Sequence, residues 1–176
     1  SHLAVVVADV SGKGVPGAMV MASARALIRA FACQVVSASE TLKMTNAHVA
    51  RDVRPGMFVT AILAILNVET KVMTICSAGH NPMVVYKRRT RQIGLMNPSG
   101  IALGFDKGAV FERTLKESSL TLEPGDRFVL YTDGVVEAMS EDKKEFGDER
   151  FYKFTRDHAE LPSRDFVKEL VRALDE

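Results

Sequence analysis

The chain has 176 residues, 47% of them hydrophobic, and its 23 basic and 22 acidic side chains leave a formal charge of +1. That composition supports one folded domain with a real core and excludes a disordered chain. The near-neutral balance gives no electrostatic reason for nucleic acid or an anionic membrane to be the main partner. Cys33 and Cys76 lie far apart in apolar segments and read as small buried thiols, which suits a reducing cytoplasm better than a disulfide framework or a zinc site. No run approaches the roughly 18 apolar residues of a membrane span, and no cleavable signal pattern opens the chain.

In chain order, the first element is an apolar strand, Leu3 to Ala8, that runs into Asp9. Ser11-Gly12-Lys13-Gly14 follows, and Pro16 is placed to open a helix reaching about Val36, because its missing N–H has no intrahelical partner there. The helix is small or apolar almost all round, with Arg25 and Arg29 as one solvated stripe, so burial is expected for most of it, and Met19, Met21 and Met57 read as core filling. A second helical segment spans about Ser39 to Val53. Short β-type runs then follow: Phe58–Leu66, Val72–Cys76, Met83–Tyr86, Gln92–Met96, Val110–Leu115, Leu120–Leu122 and Arg127–Thr132. The linkers Asn67–Lys71 and Lys87–Arg91 are too short for crossover helices, so the middle of the chain is antiparallel, and basic Lys87–Arg91 reads as a solvated hairpin tip, with phosphate or partner contact as the lesser alternative. Pro124-Gly125-Asp126 turns the chain into its last strand. Helices from about Gly147 to His158 and from a Ser163 cap close the chain, giving an α+β sandwich.

Two strands thus end on a carboxylate beside a glycine-bearing turn, Asp9 and Asp133. Held close, two carboxylates repel unless a proton or cation lies between them, and hard oxygen ligands favour Mg²⁺ or Mn²⁺. The pattern points to a divalent-metal hydrolase. Taken alone, Asp9 reads better as a turn cap accepting N–H bonds from Ser11 or Gly12, and it is the second aspartate, Asp133, that shifts the balance; His80, in a Gly-Asn-Pro turn, offers a ligand or general acid but reads better as a structural hydrogen-bonder, with a role near the site left open. Gly12-Lys13-Gly14-Val15-Pro16-Gly17 matches G-x-G-x-x-G, but that fingerprint needs a βαβ unit, and here hairpins follow the helices. A dinucleotide-binding oxidoreductase therefore ranks third among the readings.

The residues resemble the SpoIIE-like bacterial branch of the PPM-type metal-dependent serine/threonine protein phosphatases. The resemblance is carried by Ala8 to Ala18, Met57-Phe58-Val59-Thr60, Ser77 to Pro82, Gly100 to Gly104, Pro124-Gly125-Asp126, Tyr131 to Ala138 and Phe146-Gly147. It implies a sandwich of two antiparallel sheets flanked by helix pairs, with two Mg²⁺ or Mn²⁺ ions at one edge in the complete domain. Asp9 then corresponds to the carboxylate bridging the ions, the Val10 carbonyl to a backbone ligand and Asp133 to a further ligand, with Asp9 and Asp133 acting through activated water on a phosphoserine or phosphothreonine. The implied substrate is a phosphorylated anti-sigma factor antagonist. A fused upstream sensory or regulatory domain and a cytoplasmic location go with it, without nucleic acid or direct membrane insertion, and with a homodimer left open. The family pattern has a further aspartate on a strand before Asp9 and an Asp-Asp-hydrophobic-Thr strand after the last helix. Residues 1–176 are accordingly expected to be one phosphatase domain lacking an N-terminal strand segment and a C-terminal strand. The alternative from another class is a catalytically inactive pseudo-phosphatase acting in partner switching.

Overall fold

In the computed structural model, which describes residues 1–175, the elements follow in chain order as β1 (His2–Val10), α1 (Gly14–Ala32), α2 (Ala38–Asp52), β2 (Val59–Asn67), β3 (Val72–Ala78), β4 (Met83–Lys87), β5 (Gln92–Met96), α3 (Ala109–Thr114), β6 (Glu117–Thr121), β7 (Arg127–Val129), α4 (Asp133–Val136), α5 (Asp148–Asp157) and α6 (Ser163–Leu174). They divide between two compact units, one made of residues 1–80 and 97–122, the other of residues 81–96 and the chain from Glu123 on. Each unit holds one antiparallel sheet with helices, as the α+β reading requires.

In the first unit the sheet runs β1-β2-β3-β6, with every neighbouring pair antiparallel. Central β2 is apolar on both faces and buries Val59, Ala61, Ile62, Leu63, Ala64 and Ile65. The turn from β2 to β3 is tied by the Asn67 side chain, which accepts the Glu69 and Thr70 N–H groups at 3.0 and 3.1 Å. The core under α2 gathers Leu42, Val49, Leu63, Cys76, Leu103 and Phe111. Ser37 caps α2 by accepting the Glu40 N–H at 3.1 Å. Glu117 of β6 joins that cap, accepting the Ser39 N–H at 2.7 Å and the Ser37 hydroxyl at 3.1 Å.

Several expectations are corrected here. Val110–Leu115 is not a strand: the Asp106 carboxylate accepts the Gly108, Val110 and Phe111 N–H groups at 3.0 Å each and starts α3, which buries Phe111 completely. Those bonds, led by the one from Phe111, also hold the Asp106 carboxyl below the ordinary carboxylate range. Nor is α1 largely buried: it packs through Gly17, Ala24 and Ile28 and leaves Val15 and Met19 exposed, so Met19 is not core filling. At 19 residues with a mean hydropathy of 1.2, α1 also has the length and composition of a membrane span, contrary to the expectation that no run would, features it shares with the core helices of soluble proteins. Cys76 is buried, and burial first, then Glu117, pushes its thiol up to about 12, but Cys33 is exposed at the end of α1.

In the second unit the sheet runs β5-β4-β7, antiparallel throughout. Val84, Tyr131, Phe151 and Phe166 form its core, with α5 and α6 laying their apolar faces on it. The Glu123–Asp126 turn closes through an Asp126 N–H bond to the Glu123 carbonyl at 2.9 Å, with Pro124 and then Gly125 at φ +92°, the positive angle that a type II turn demands. Asp126 is the hub of this turn, accepting Lys87 Nζ at 2.6 Å and the Arg88 and Glu123 N–H groups at 3.0 Å. The last strand is shorter than expected and stops at Val129. Asp133 therefore opens a one-turn helix, α4, which the apolar run before it had hidden.

Candidate metal centre

Asp9 is delivered by β1, whose nine residues pair with β2 from His2↔Asn67 to Val10↔Val59 without a bulge. Its carboxylate is exposed, and its one hydrogen bond is to the N–H of the next residue, Val10, at 2.9 Å. No cation pairs with it among the described residues, so its remaining oxygen lone pairs are open to a ligand. It is not the cap of the following turn, as the simpler reading had it. That turn is closed by Ser11 instead: its N–H and hydroxyl reach the Phe58 carbonyl at 2.9 and 3.1 Å, and its oxygen accepts the Phe58 N–H at 2.7 Å.

The ladder also decides where the Val10 carbonyl points. Val59 exchanges both its backbone bonds with Leu103, at 2.9 and 2.8 Å, on the far side of β2. Val10 and Val59 are thus a non-hydrogen-bonded pair, and the alternation of an antiparallel ladder turns the Val10 carbonyl to the open edge of the sheet. A backbone oxygen and a carboxylate from consecutive residues stand at one strand end, a hard-oxygen donor set that fits Mg²⁺ or Mn²⁺ better than softer metals. Close packing keeps the approach narrow behind them: a Cβ at Gly17 would stand 2.9 Å from the Gly12 carbonyl oxygen, so α1 can sit against this loop only with glycine there.

Asp133 is the first residue of α4 in the second unit, exposed, with its backbone carbonyl accepting the Glu137 N–H at 2.8 Å and no partner for its carboxylate among the described residues. Asp9 and Val10 belong to the first unit. Among the described residues no group of three or more His, Cys, Asp or Glu side chains gathers as a metal site.

Behind Asp9 the structure places a residue that sequence reasoning overlooked. Thr60, opposite Asp9 in the ladder, brings its hydroxyl 3.4 Å from the Asp9 carbonyl and 2.9 Å from Nδ1 of His80. His80 is 5% exposed, and its N–H donates to Ser77 Oγ at 3.1 Å. The structural reading of His80 holds, although it stands one residue away from the Asp9 backbone. Asn46 was overlooked too: buried on α2, it accepts the Gly104 N–H at 2.8 Å and donates to the Asp106 carbonyl at 2.9 Å, fixing the loop that carries Phe105. The Asp106-Lys107-Gly108 sequence was the available signal for that loop, since Asp two residues before Gly favours a side-chain-closed turn. Because β1 and β2 pair antiparallel, Gly12 to Gly17 does not sit in a parallel βαβ unit, and the dinucleotide fingerprint loses its context.

The model of the family described as Stage II sporulation protein E (SpoIIE) matches residues 1–176. The chain belongs to the SpoIIE family. Within 137 aligned residues this SpoIIE-family chain is 31% identical to the phosphoserine phosphatase RsbU of Bacillus subtilis, covering 78% of the chain and 40% of RsbU. The match thus spans less than half the length of that relative. The fold is similar to that of the RsbU and RsbW domains of Rv1364c from Mycobacterium tuberculosis, with a TM-score of 0.80, 24% identity, and 99% of this chain and 48% of that one covered. It is also similar to RsbX in complex with magnesium, with a TM-score of 0.69, 21% identity, and 98% and 72% covered.

Proposed function

We propose that this SpoIIE-family chain is the phosphatase part of a metal-dependent serine/threonine protein phosphatase, with Asp9, the Val10 carbonyl and Asp133 as ligands of Mg²⁺ or Mn²⁺. The observation that carries the reading is the end of β1: an exposed carboxylate without a cation partner and an edge-turned carbonyl on the next residue, inside a family match that spans the chain. When bound, divalent ions supply a more acidic water and charge for the phosphoryl oxygens. The chain's own residues contribute position. Thr60 and Ser11 hold the backbone on both sides of Asp9, which limits the search its carboxylate must make, and Gly12 and Gly14, which carry no Cβ, leave room for a phosphate ester on either side of Lys13. The likeness to the phosphoserine phosphatase RsbU supports a phosphoserine protein as the substrate, and on this reading that substrate is a phosphorylated anti-sigma factor antagonist of a partner-switching pathway in the cytoplasm.

A second reading is favoured by the sparse donor set at the end of β1, one carboxylate and one backbone carbonyl. On that reading the chain is a partner-switching module that binds phosphoprotein without hydrolysing it. Hydrolysis of p-nitrophenyl phosphate with and without Mn²⁺, alongside calorimetric titration with Mn²⁺, separates the two. Metal-dependent turnover supports the phosphatase. Three protein donors hold a pair of ions weakly, so the expected Mn²⁺ affinity is low; no turnover and no Mn²⁺ binding at any accessible concentration would refute the proposal.

A further inference from the structure

The loop that follows Asp9 is bordered by an apolar surface that the metal-centre reading does not use. Met57 Cε lies 3.8 Å from where a Gly12 Cβ would stand, and the Phe58 ring meets the Phe105 ring edge-on at 6.1 Å. Phe105 is 72% exposed, an unusual state for an aromatic residue on a loop that Asn46 and Asp106 hold in place from below. The surface continues from Gly104, which abuts Val53, into a cleft of about 180 Å³ between α1 and α2, lined by Met19, Val53 and Asp52 among others. Apolar residues held on an ordered loop beside a polar site mark a recognition surface, since most of the Phe105 ring faces water and its contact with Phe58 buries little of it.

Three cations border this surface, alongside the carboxylates of Asp9 and Asp52. Lys13 follows Gly12, Arg54 offers its carbonyl to the Met57 N–H at 3.0 Å, and Lys107 lies two residues beyond Phe105. All three are exposed, and none has an ion-pair partner among the described residues. Resting on the phosphatase reading, we infer that Phe58 and Phe105, with the cleft beside them, dock an acidic segment of the phosphoprotein substrate that carries an apolar side chain next to its phosphoserine. The apolar side chain enters the cleft, the acidic residues meet Lys13, Arg54 and Lys107, and the phosphoserine is left over the Asp9 loop. Charge complementarity selects this occupant: a phosphate and flanking carboxylates neutralise three cations that the chain leaves unpaired. The concave cleft suits a discrete side chain better than a flat anionic lipid surface.

The test is fluorescence anisotropy of the chain with a fluorescein-labelled acidic peptide bearing one phosphoserine beside a leucine, read without turnover. Phe105→Ala and the charge reversals Arg54→Glu and Lys107→Glu, all at exposed positions, each weaken binding about tenfold, the scale of one lost anchor or charge contact. Added salt weakens wild-type binding more than binding by Lys107→Glu. Equal binding by Phe105→Ala and wild type overturns the inference, as does a wild type that ignores the peptide but co-sediments with phosphatidylglycerol vesicles through Phe105. Binding that follows this pattern without any Mn²⁺-dependent hydrolysis would sink the phosphatase reading and leave the docking surface standing.

Discussion

His80 Nδ1 lies 2.9 Å from the Thr60 hydroxyl, and Thr60 faces Asp9 across the β1–β2 ladder, so a buried imidazole braces the strand end that carries the candidate ligand. His80→Ala removes that brace, leaves the half-buried Thr60 hydroxyl with fewer partners and empties the buried site of the imidazole. A loss of about 1–3 kcal/mol in unfolding free energy is expected. Urea denaturation measures it, and a midpoint unchanged from wild type would show that the brace contributes nothing.

Asp9→Asn and Asp133→Asn each remove a ligand charge while keeping side-chain volume, and both positions are exposed. The folded state should therefore melt as wild type does, while Mn²⁺-dependent hydrolysis of a phosphoserine peptide drops by about a hundredfold or more, beyond what losing an outer-shell partner costs. Steady-state kinetics with circular dichroism melts on the same preparations checks both halves. Full activity in either variant would remove that residue from the ligand set.

The Asp126 hub predicts a pH dependence. Burial pushes its carboxyl up, but the bond from Lys87 and the N–H groups of Glu123 and Arg88 outweigh burial and leave it below the ordinary range. Glu117, with Ser39 and Ser37 outweighing its burial, shifts the same way. A group with a depressed folded pKa stabilises fully above its unfolded value, near about pH 4 for a carboxylate, and that contribution disappears as pH falls through the lower folded value. Chemical denaturation from pH 7 down to pH 3 should show stability falling below about pH 5, with a smaller fall in Asp126→Ala, which itself starts about 1–3 kcal/mol less stable because two N–H groups lose their acceptor. An identical pH profile in that variant would contradict the assignment.

Thr155, fully buried on α5, has a hydroxyl with no hydrogen-bond partner among the described residues. Valine has the same shape without the polar atom. Thr155→Val should raise stability by about 1–2 kcal/mol, visible as a higher urea midpoint at unchanged slope. A lower midpoint would mean that the hydroxyl is satisfied in solution.

Much of this fold was readable from local chemistry. The hairpins over Asn67–Lys71 and Lys87–Arg91 and the Pro124-Gly125-Asp126 turn follow from chain length and turn residues alone, and Asp9 at a strand end followed from an apolar run meeting an acid. The failures have a common cause in long-range contacts. Val110 to Leu115 has strand composition, yet Asp106 supplies three acceptor bonds that start a helix instead. The small-residue face of α1 looked like a core helix because a sequence does not reveal how many neighbours a helix has. Thr60 and Asn46 act through partners 20 and 58 residues away, His80 and Gly104, a separation no local pattern encodes.

The unbroken nine-pair ladder between β1 and β2 makes the candidate ligands depend on parity. Removing one residue anywhere between Leu3 and Ala8 would exchange odd for even: Asp9 would cross to the other face of the sheet, and the Val10 carbonyl would turn inward toward β2. Removing two would restore both. Over this strand the identities of Val5, Val6 and Val7 are interchangeable among aliphatics, while their number is not, so the donor pair at the strand end is set by counting.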